Sequence, residues 1–411
     1  MKRLATLWSH VPAWGRMLVY LSGGIAVLST ARVLTGAGQL TAENTFRSAI
    51  ELSVPIALAG LGGLWSERAG VVNIGLEGMM ALGTWFGAYG GIAYGPWWGV
   101  LLGVLGGAIG ALLHTIATVG FGVDHIISGV SINLLGVGVT EFLTSVSWGG
   151  ASAKESPAIP DNVVRLDLLP FLKDPLRELG SQNRFFISDL ADLIVALTTG
   201  VSALIVIAVA LFPLTWFVLW RTPVGLRLRS VGEDPDAADS LGVNVYKMKV
   251  LGVMVSGALA GLGGVSLVYL FSGKFQSGQT GGRGFIGLAA MIFGNWRPGG
   301  LLAGSALFGY TDAIRLRAGG QSVHAVLLLV AVLLLLIGLW QLFRRGRVVQ
   351  GVLALVVAGL TAWWYFAADT VPNELAGTLP YVTTLLVLAF AAQRLRMPAA
   401  DGLVYRKGEG H

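Results

Sequence analysis

The sequence predicts an all-α polytopic integral membrane protein with about 10–12 transmembrane or re-entrant helices. Three observations predict it. The chain of 411 residues is 54% hydrophobic and only 12% charged, with a mean hydropathy of +0.72. Soluble domains carry roughly 25% charged residues, so there is too little charge here to cover a water-facing surface, which excludes a soluble enzyme. Long apolar runs follow one another along the sequence, most of them long enough to cross a hydrocarbon core of about 30 Å at about 1.5 Å per residue. Glycine, at 59 residues, is about twice as frequent as usual and lacks a collagen-like period. Its four-residue spacings (Gly99, Gly103, Gly107; Gly106 with Gly110; Gly257 with Gly261; Gly300 with Gly304) read as seams where helices pack closely in lipid. No strand and acidic partner surround them, as a nucleotide fingerprint would require.

In chain order, the apolar runs are 17–34, 47–64, 72–92, 96–118, 126–146, 190–219, 250–271, 285–295, 301–316, 323–343, 348–366 and 379–393. The run at 285–295 is too short to span and reads as a half-helix or re-entrant segment, which is tolerated only when buried in protein or lining a watery cavity. Residues 1–46 form a cytoplasmic amino-terminal tail and an additional anchor span. Lys2 and Arg3 precede this span as in a signal peptide, but Arg16, its length and the lack of a small-residue cleavage site make it an uncleaved anchor. Residues 47–316 are the core domain, including an outer loop, 147–189, and an inner connector, 221–249. The outer loop holds Pro157, Pro160, Pro170 and Pro175 among charged residues, as a folded external cap or contact surface would. An additional span pair at 317–366, a last span at 367–393 and a cytoplasmic tail at 394–411 complete the chain. With both termini inside, most of the 28 Lys and Arg fall on the cytoplasmic side. The net charge of +6 and pI near 9.6 are then topology, not a nucleic-acid footprint.

The inner connector contains Gly232-Glu-Asp-Pro-Asp-Ala-Ala-Asp-Ser-Leu-Gly242. Asp234 suits an N-cap, Pro235 the first helical position and Gly242 a left-handed stop, predicting a helix of about two turns. Ala237, Ala238 and Leu241 fall on one face, and Asp236, Asp239 and Ser240 on the other. Such a helix is either a capped surface element or a knob that docks into a partner.

This pattern resembles the coupling helix of ABC importer permeases of the branched-chain amino acid and simple-sugar type. Three further blocks resemble the same family: Ser66-Glu-Arg-Ala-Gly-Val-Val-Asn-Ile-Gly-Leu-Glu-Gly-Met-Met80, similar to its nucleoside (purine and pyrimidine ribonucleoside) branch; Gly282-Arg-Gly-Phe-Ile-Gly-Leu-Ala-Ala-Met-Ile-Phe-Gly-Asn-Trp-Arg-Pro-Gly-Gly300; and Leu379-Pro-Tyr-Val-Thr-Thr-Leu with Met397-Pro-Ala-Ala-Asp-Gly-Leu-Val-Tyr405. The resemblance runs from about Ser48 to Ile314 and resumes at Leu379; the leading span near Val19, the outer loop near Pro160 and the pair between Val323 and Phe366 depart from the shorter members. It implies a type II-like ABC importer permease for nucleosides, multi-pass in the bacterial cytoplasmic membrane. Asp234, Pro235, Ala237, Ala238, Leu241 and Gly242 would couple it to an ABC ATPase, expected to be a tandem-domain protein. A second homologous permease and an extracytoplasmic substrate-binding lipoprotein would complete the system. The chain has no Gly-x-x-x-x-Gly-Lys-Ser/Thr loop, so it is expected to bind no cofactor itself, with ATP and Mg on the partner, and to have no catalytic residues.

A neutral, ring-containing cargo needs hydrogen-bonding groups and aromatic faces at membrane depth, where polar residues are functional candidates. Asn73 and Glu77 share a helix face, Trp85 lies further along the same run, Asn133 falls within 126–146, and Phe285 and Asn295 mark the short segment. Plainer roles are open to each: Glu77 as a partner for Arg68, Asn73 as a support for broken backbone near Gly70 and Gly75, and Trp85 as an interface residue. Other cargoes of the same machinery, a simple sugar or a branched-chain amino acid, remain open. More distant alternatives are a polytopic membrane transferase using Asp234, Asp236 and Asp239, and a proton-coupled transporter using Glu51, Glu77 and Glu141. Cysteine is absent and the five histidines form no His-Glu-x-x-His pair, so no metal site is expected.

Overall fold

The computed structural model describes residues 13–149, 153–368, 371–372, 375, 378 and 395–408. The predicted last span at 379–393 lies outside them. In chain order the helices are α1 (Ala13–Thr35), α2 (Glu43–Arg68), α3 (Leu76–Tyr94), α4 (Pro96–Thr115), α5 (His125–Trp148), α6 (Lys173–Ser181), α7 (Ile187–Thr198), α8 (Ala203–Arg221), α9 (Pro223–Glu233), α10 (Pro235–Ser240), α11 (Val245–Leu267), α12 (Arg283–Phe293), α13 (Pro298–Trp340) and α14 (Val348–Ala367). One-turn π segments extend α4, α11 and α13. Among the described residues seven helical stretches are long and apolar enough to cross a membrane: Gly38–Arg68, Pro96–Gly120, His125–Trp148, Ala203–Arg221, Val245–Ser272, Val323–Arg344 and Val348–Ala367. The all-α polytopic class therefore holds.

Two boundaries differ from the sequence reading. The run 190–219 is two helices, α7 and α8, because Gly200 takes a φ of +60° and gives its N–H to Asp167 Oδ1 at 2.6 Å. The strand pair that follows, Arg165–Leu166 (β1) against Val201–Ser202 (β2), is antiparallel and fixes the turn. Conversely, 301–316 and 323–343 belong to one helix, α13: Gly319 and Gly320 are helical, and polar residues between two apolar runs do not by themselves interrupt a backbone ladder.

The chain divides into two compact units. The smaller contains α1, α6, α7, α14, the start of α2 and α13 from Tyr310 onward. Arg32 pairs with Asp189 at 3.0 Å, Ser29 donates to the same carboxylate, and Glu43 accepts from both Arg47 and Arg177. Tyr310 donates to the Leu40 carbonyl at 2.7 Å beside a core of Ala31, Leu40, Ile314 and Val323.

The larger unit contains α3, α4, α5 and α8 to α12 with most of α2 and the tail from residue 395. Its core joins Leu58, Leu61 and Leu64 of α2 to Trp85, Phe275 and Phe308. The sequence seams are real contacts. A Cβ added at Gly83 of α3 would sit 2.3 Å from the Gly261 carbonyl oxygen of α11, so the two backbones touch where only glycine fits.

Candidate functional site

Two interruptions in the helical backbone meet inside the larger unit. The first separates α2 from α3. From Ala69 to Gly75 the chain leaves the helix, with Gly70 at a φ of +78°. Backbone groups released at this depth need partners from the protein, and side chains of α4, α5 and the segment's own Asn73 supply them, with α11 holding Asn73 in place. Asn73 Oδ1 accepts from the Gly75 N–H at 3.0 Å, while its Nδ2 donates to Ser256 Oγ of α11 at 2.9 Å. Asn133 of α5 works in both directions: Nδ2 donates to the Ile74 carbonyl at 3.0 Å and Oδ1 accepts from the Gly78 N–H at 2.8 Å. His114 of α4 bonds the Val72 carbonyl through Nε2 at 3.1 Å, and the Val72 N–H donates to His125 Nδ1 at 3.3 Å. A carbonyl only accepts, so His114 carries its proton on Nε2 and takes the Ser128 hydroxyl, 2.8 Å away, on Nδ1.

The second interruption lies between α11 and α12, where Gly273, Gly278, Gly281 and Gly282 all have positive φ. Helix α12 has 11 residues, about 16 Å, or half a crossing. It is the half-helix that the sequence predicted at this place. Its first N–H groups meet Glu77 of α3: Oε1 accepts from Gly282 at 2.8 Å and Oε2 from Gly284 at 2.6 Å. The carboxylate thereby caps two donors and faces the positive end of the helix dipole. A Cβ on Gly284 would lie 2.6 Å from the Glu77 backbone nitrogen, so glycine is required for this approach.

Further along α3, Trp85 stacks on Tyr89 (centroids 5.2 Å apart, planes 12° apart) and meets Trp148 at the end of α5 at 5.2 Å; Phe275 lies 6.3 Å beyond Trp148. The buried Trp85 indole N–H has no hydrogen-bond partner among the described residues, nor has the Gln279 amide nitrogen. The first part of the outer loop is tied to the second interruption: Ser156 and Phe275 exchange hydrogen bonds, Ile159 donates to the Gly273 carbonyl, and Lys274 pairs with Glu155 at 2.7 Å. The Lys274 hydrogen bond holds the exposed Glu155 carboxyl below its ordinary range.

At the other end of α12 the chain turns through Asn295 and Trp296, both with positive φ, +55° and +51°. Left-handed backbone is costly for a tryptophan, and the surroundings enforce it. The Trp296 indole donates to Glu67, its carbonyl accepts from Arg68 at 2.8 Å, and Asn295 Oδ1 accepts from the Arg396 N–H at 2.7 Å. Asp401 is buried beside Glu67; burial, reinforced by that second carboxyl, pushes its pKa well above the ordinary carboxylate range. The short helix α10 stands close by. Asp234 Oδ1 accepts from the Ala237 N–H at 2.9 Å, Pro235 opens the helix and Gly242 follows it at a φ of +82°, the geometry its sequence predicts. One face differs from expectation. Ala238 is only 2% exposed and packs on Val231, Val245 and Tyr405, while Leu241 is 84% exposed and Ala237 faces outward with it. The helix buries Pro235 and Ala238 against its own chain because it needs an apolar anchor, which leaves Ala237 and Leu241 as its outward apolar residues.

Of the residues picked out from sequence, Asn73, Glu77 and Asn133 come together at the first interruption, and Glu77 links it to the second. Phe285 is on α12, half exposed, and Trp85 lies two turns from Glu77 in the aromatic cluster. Asn295 is apart from them, at the opposite end of α12, occupied with the tail. Glu77 does not pair with Arg68, whose ion-pair partner is Glu233 at 3.8 Å. Sequence reasoning passed over His114, His125 and Ser256, all of which hold the interruption. The position of His114 and Ser256 inside apolar runs, and of His125 at the edge of one, was the available signal, since polar groups at that depth rarely lack a task.

A protein-family model described as "Branched-chain amino acid transport system / permease component" matches residues 46–339. The chain is 33% identical to the guanosine ABC transporter permease protein NupQ of Bacillus subtilis over 368 residues, 87% of this chain and 94% of NupQ. It is also 33% identical to the nucleoside ABC transporter permease protein NupC of Lactococcus lactis subsp. cremoris, over 87% of this chain and 95% of that one. A putative glucose ABC transporter permease protein, TsgC13 of Haloferax volcanii, is 33% identical over 87% of this chain and 96% of its own length. No solved structure matches the chain.

Proposed function

Because the chain belongs to the family of permease components of the branched-chain amino acid transport system type, we propose that it is the transmembrane permease subunit of an ATP-driven ABC importer for nucleosides. One observation carries the mechanism. Two broken-helix segments meet at Glu77, so a half-helix and its neighbouring loop can shift against α3 by exchanging a few hydrogen bonds. Rigid bodies joined at such a point can alternate between outward- and inward-open states. Cargo selection falls to the neighbourhood of this joint. Asn133 spends its hydrogen bonds on backbone, and Asn73 spends its own on the Gly75 N–H and the Ser256 hydroxyl, so both act as supports. The Trp85 and Gln279 donors, both unpartnered, together with the Phe285 ring, are the groups available to a neutral ring-bearing molecule. The cargo is a nucleoside by similarity to NupQ and NupC.

Power comes from another chain. The outward Leu241 and Ala237 of α10 dock on an ABC ATPase, which binds ATP and Mg, and its closure drives the permease. A second homologous permease completes the pathway, and an extracytoplasmic binding lipoprotein delivers the cargo. The system sits in the cytoplasmic membrane with both termini inside. ATP-dependent uptake of labelled guanosine, adenosine and uridine into vesicles carrying the whole complex tests this; uptake that continues without the ATPase overturns the coupling. A second reading, a sugar importer, draws on the equal identity to TsgC13. In a competition panel, glucose or ribose displacing every nucleoside would favour it.

A further inference from the structure

The carboxyl-terminal motif Met397 to Tyr405 has no task in the transport cycle so far described, yet it is built into the larger unit. The Arg396 N–H donates to Asn295 after α12, and the Ala400 N–H to the Gly232 carbonyl in α9 at 2.9 Å. The Leu403 carbonyl accepts from Lys249 of α11 at 3.1 Å. Asp401 is buried against Glu67 at the end of α2. Tyr405 packs with Val231, Ala238 and Val245, its ring 5.4 Å from that of Tyr246, and Lys407 reaches Asp239 of α10 at 3.7 Å. A segment without a structural task would not bury a carboxyl group or commit its backbone to α9, α11 and the turn after α12.

We propose that residues 395–407 are a coupling strap that fastens α10 to the ends of α2 and α12, so that force applied to α10 moves the two segments framing the broken-helix joint. This rests on the reading of α10 as the ATPase contact. The argument is mechanical. Helix α10 has six residues, and inward it offers only Pro235 and Ala238. Such a small apolar anchor transmits little unless a second element holds it. The strap clasps α10 at Ala238 through Tyr405 and at Asp239 through Lys407, and its other end is fixed at Asn295 and Glu67, residues of the turns that close α12 and α2. Tyr405 and Asp401 are thus positioning residues: they touch neither cargo nor nucleotide.

The test uses the complete complex in proteoliposomes and reads nucleosides imported per ATP hydrolysed. Tyr405→Ala is expected to lower that ratio about tenfold while the ATPase still co-purifies and hydrolyses, and Tyr405→Phe, which keeps the ring, to restore it. A wild-type ratio in Tyr405→Ala overturns the strap. A second measurement does not depend on cargo or on the stability of that variant. The chain has no cysteine, so Glu233→Cys with Ala399→Cys, placed where the Ala399 N–H meets the Glu233 carboxylate, introduces a single cysteine pair for a short bis-maleimide, each thiol adding across one maleimide double bond. Bridging is expected to be equal with and without ATP, because the strap travels with α9 and α10. A pair that bridges in one nucleotide state alone means that the strap lets go under load, and overturns the proposal. A double-cysteine complex that bridges in both states, while the wild-type complex imports no nucleoside, overturns the cargo assignment and leaves the strap standing.

Discussion

Glu77, at the start of α3 beside the first interruption, closes the second, because its two oxygens satisfy two N–H groups at the start of α12. Glu77→Ala leaves both donors without a partner in the protein. By the usual worth of a helix cap it lowers stability by about 1–2 kcal/mol. The check is thermal unfolding in detergent alongside uptake in vesicles, where transport is expected to fall further than the modest loss of stability explains. Asp401 gives a prediction in pH. Burial beside the Glu67 carboxyl raises the Asp401 pKa well above its free value, so between the two the folded state holds a proton that the unfolded state has released. Stability therefore falls as pH rises above the ordinary carboxylate range, and Asp401→Asn flattens that dependence. Unfolding midpoints across this range, with an unchanged slope in the variant, would contradict it. At this scale the sequence exposed which residues sit in special blocks but not what they touch. The partners of Asn73, Val72 and Ile74 lie on three other helices, and nothing local to Ser256 or His114 states which backbone group each will meet.

Among elements, the extent of α10 was legible because its capping signals are local: Asp234 accepts from Ala237 three residues on, Pro235 opens the helix and Gly242 ends it. Which of its faces is buried was not, since that depends on Tyr405 and Val245, remote in sequence or on another helix. Two variants separate the faces. Leu241→Asp leaves packing intact and abolishes ATP-coupled uptake, whereas Ala238→Arg forces a charge into the Val231 and Tyr405 contact and costs several kcal/mol, disordering the helix itself. Protease susceptibility of the connector distinguishes them: normal for Leu241→Asp, raised for Ala238→Arg. The half-helix α12 was legible from its length alone. The break at Gly200 was not, because a glycine inside an apolar run becomes a turn only when a remote Asp167 accepts its N–H.

For the whole molecule, composition was enough to read a lipid-embedded bundle, and the excess of glycine anticipated that its helices lie close. Which glycines bear that load is a three-dimensional question. Gly99, Gly103 and Gly107 announce a seam by their spacing, but Gly83 does so only by facing Gly261. Gly83→Val is expected to prevent α3 from seating on α11, because the obstacle is main chain and cannot swing aside. Size-exclusion profiles in detergent should show loss of the folded, monodisperse species, and Gly95→Ala, where nothing lies within 4 Å, tests the opposite case at a cost limited to its positive φ.

The tail contacts also impose an order in time. During synthesis α2 and α11 enter the membrane long before residue 395 exists, so Glu67 and Lys249 wait in an unfinished bundle for Asp401 and the Leu403 carbonyl. Folding of domains proceeds as the chain emerges, amino end first. A larger unit with a polar end sealed by residues 395–407 cannot reach its final form until synthesis has passed that point. A ribosome that stalls early therefore leaves a membrane protein with exposed ionisable groups at one end, open to the proteases that clear incomplete chains.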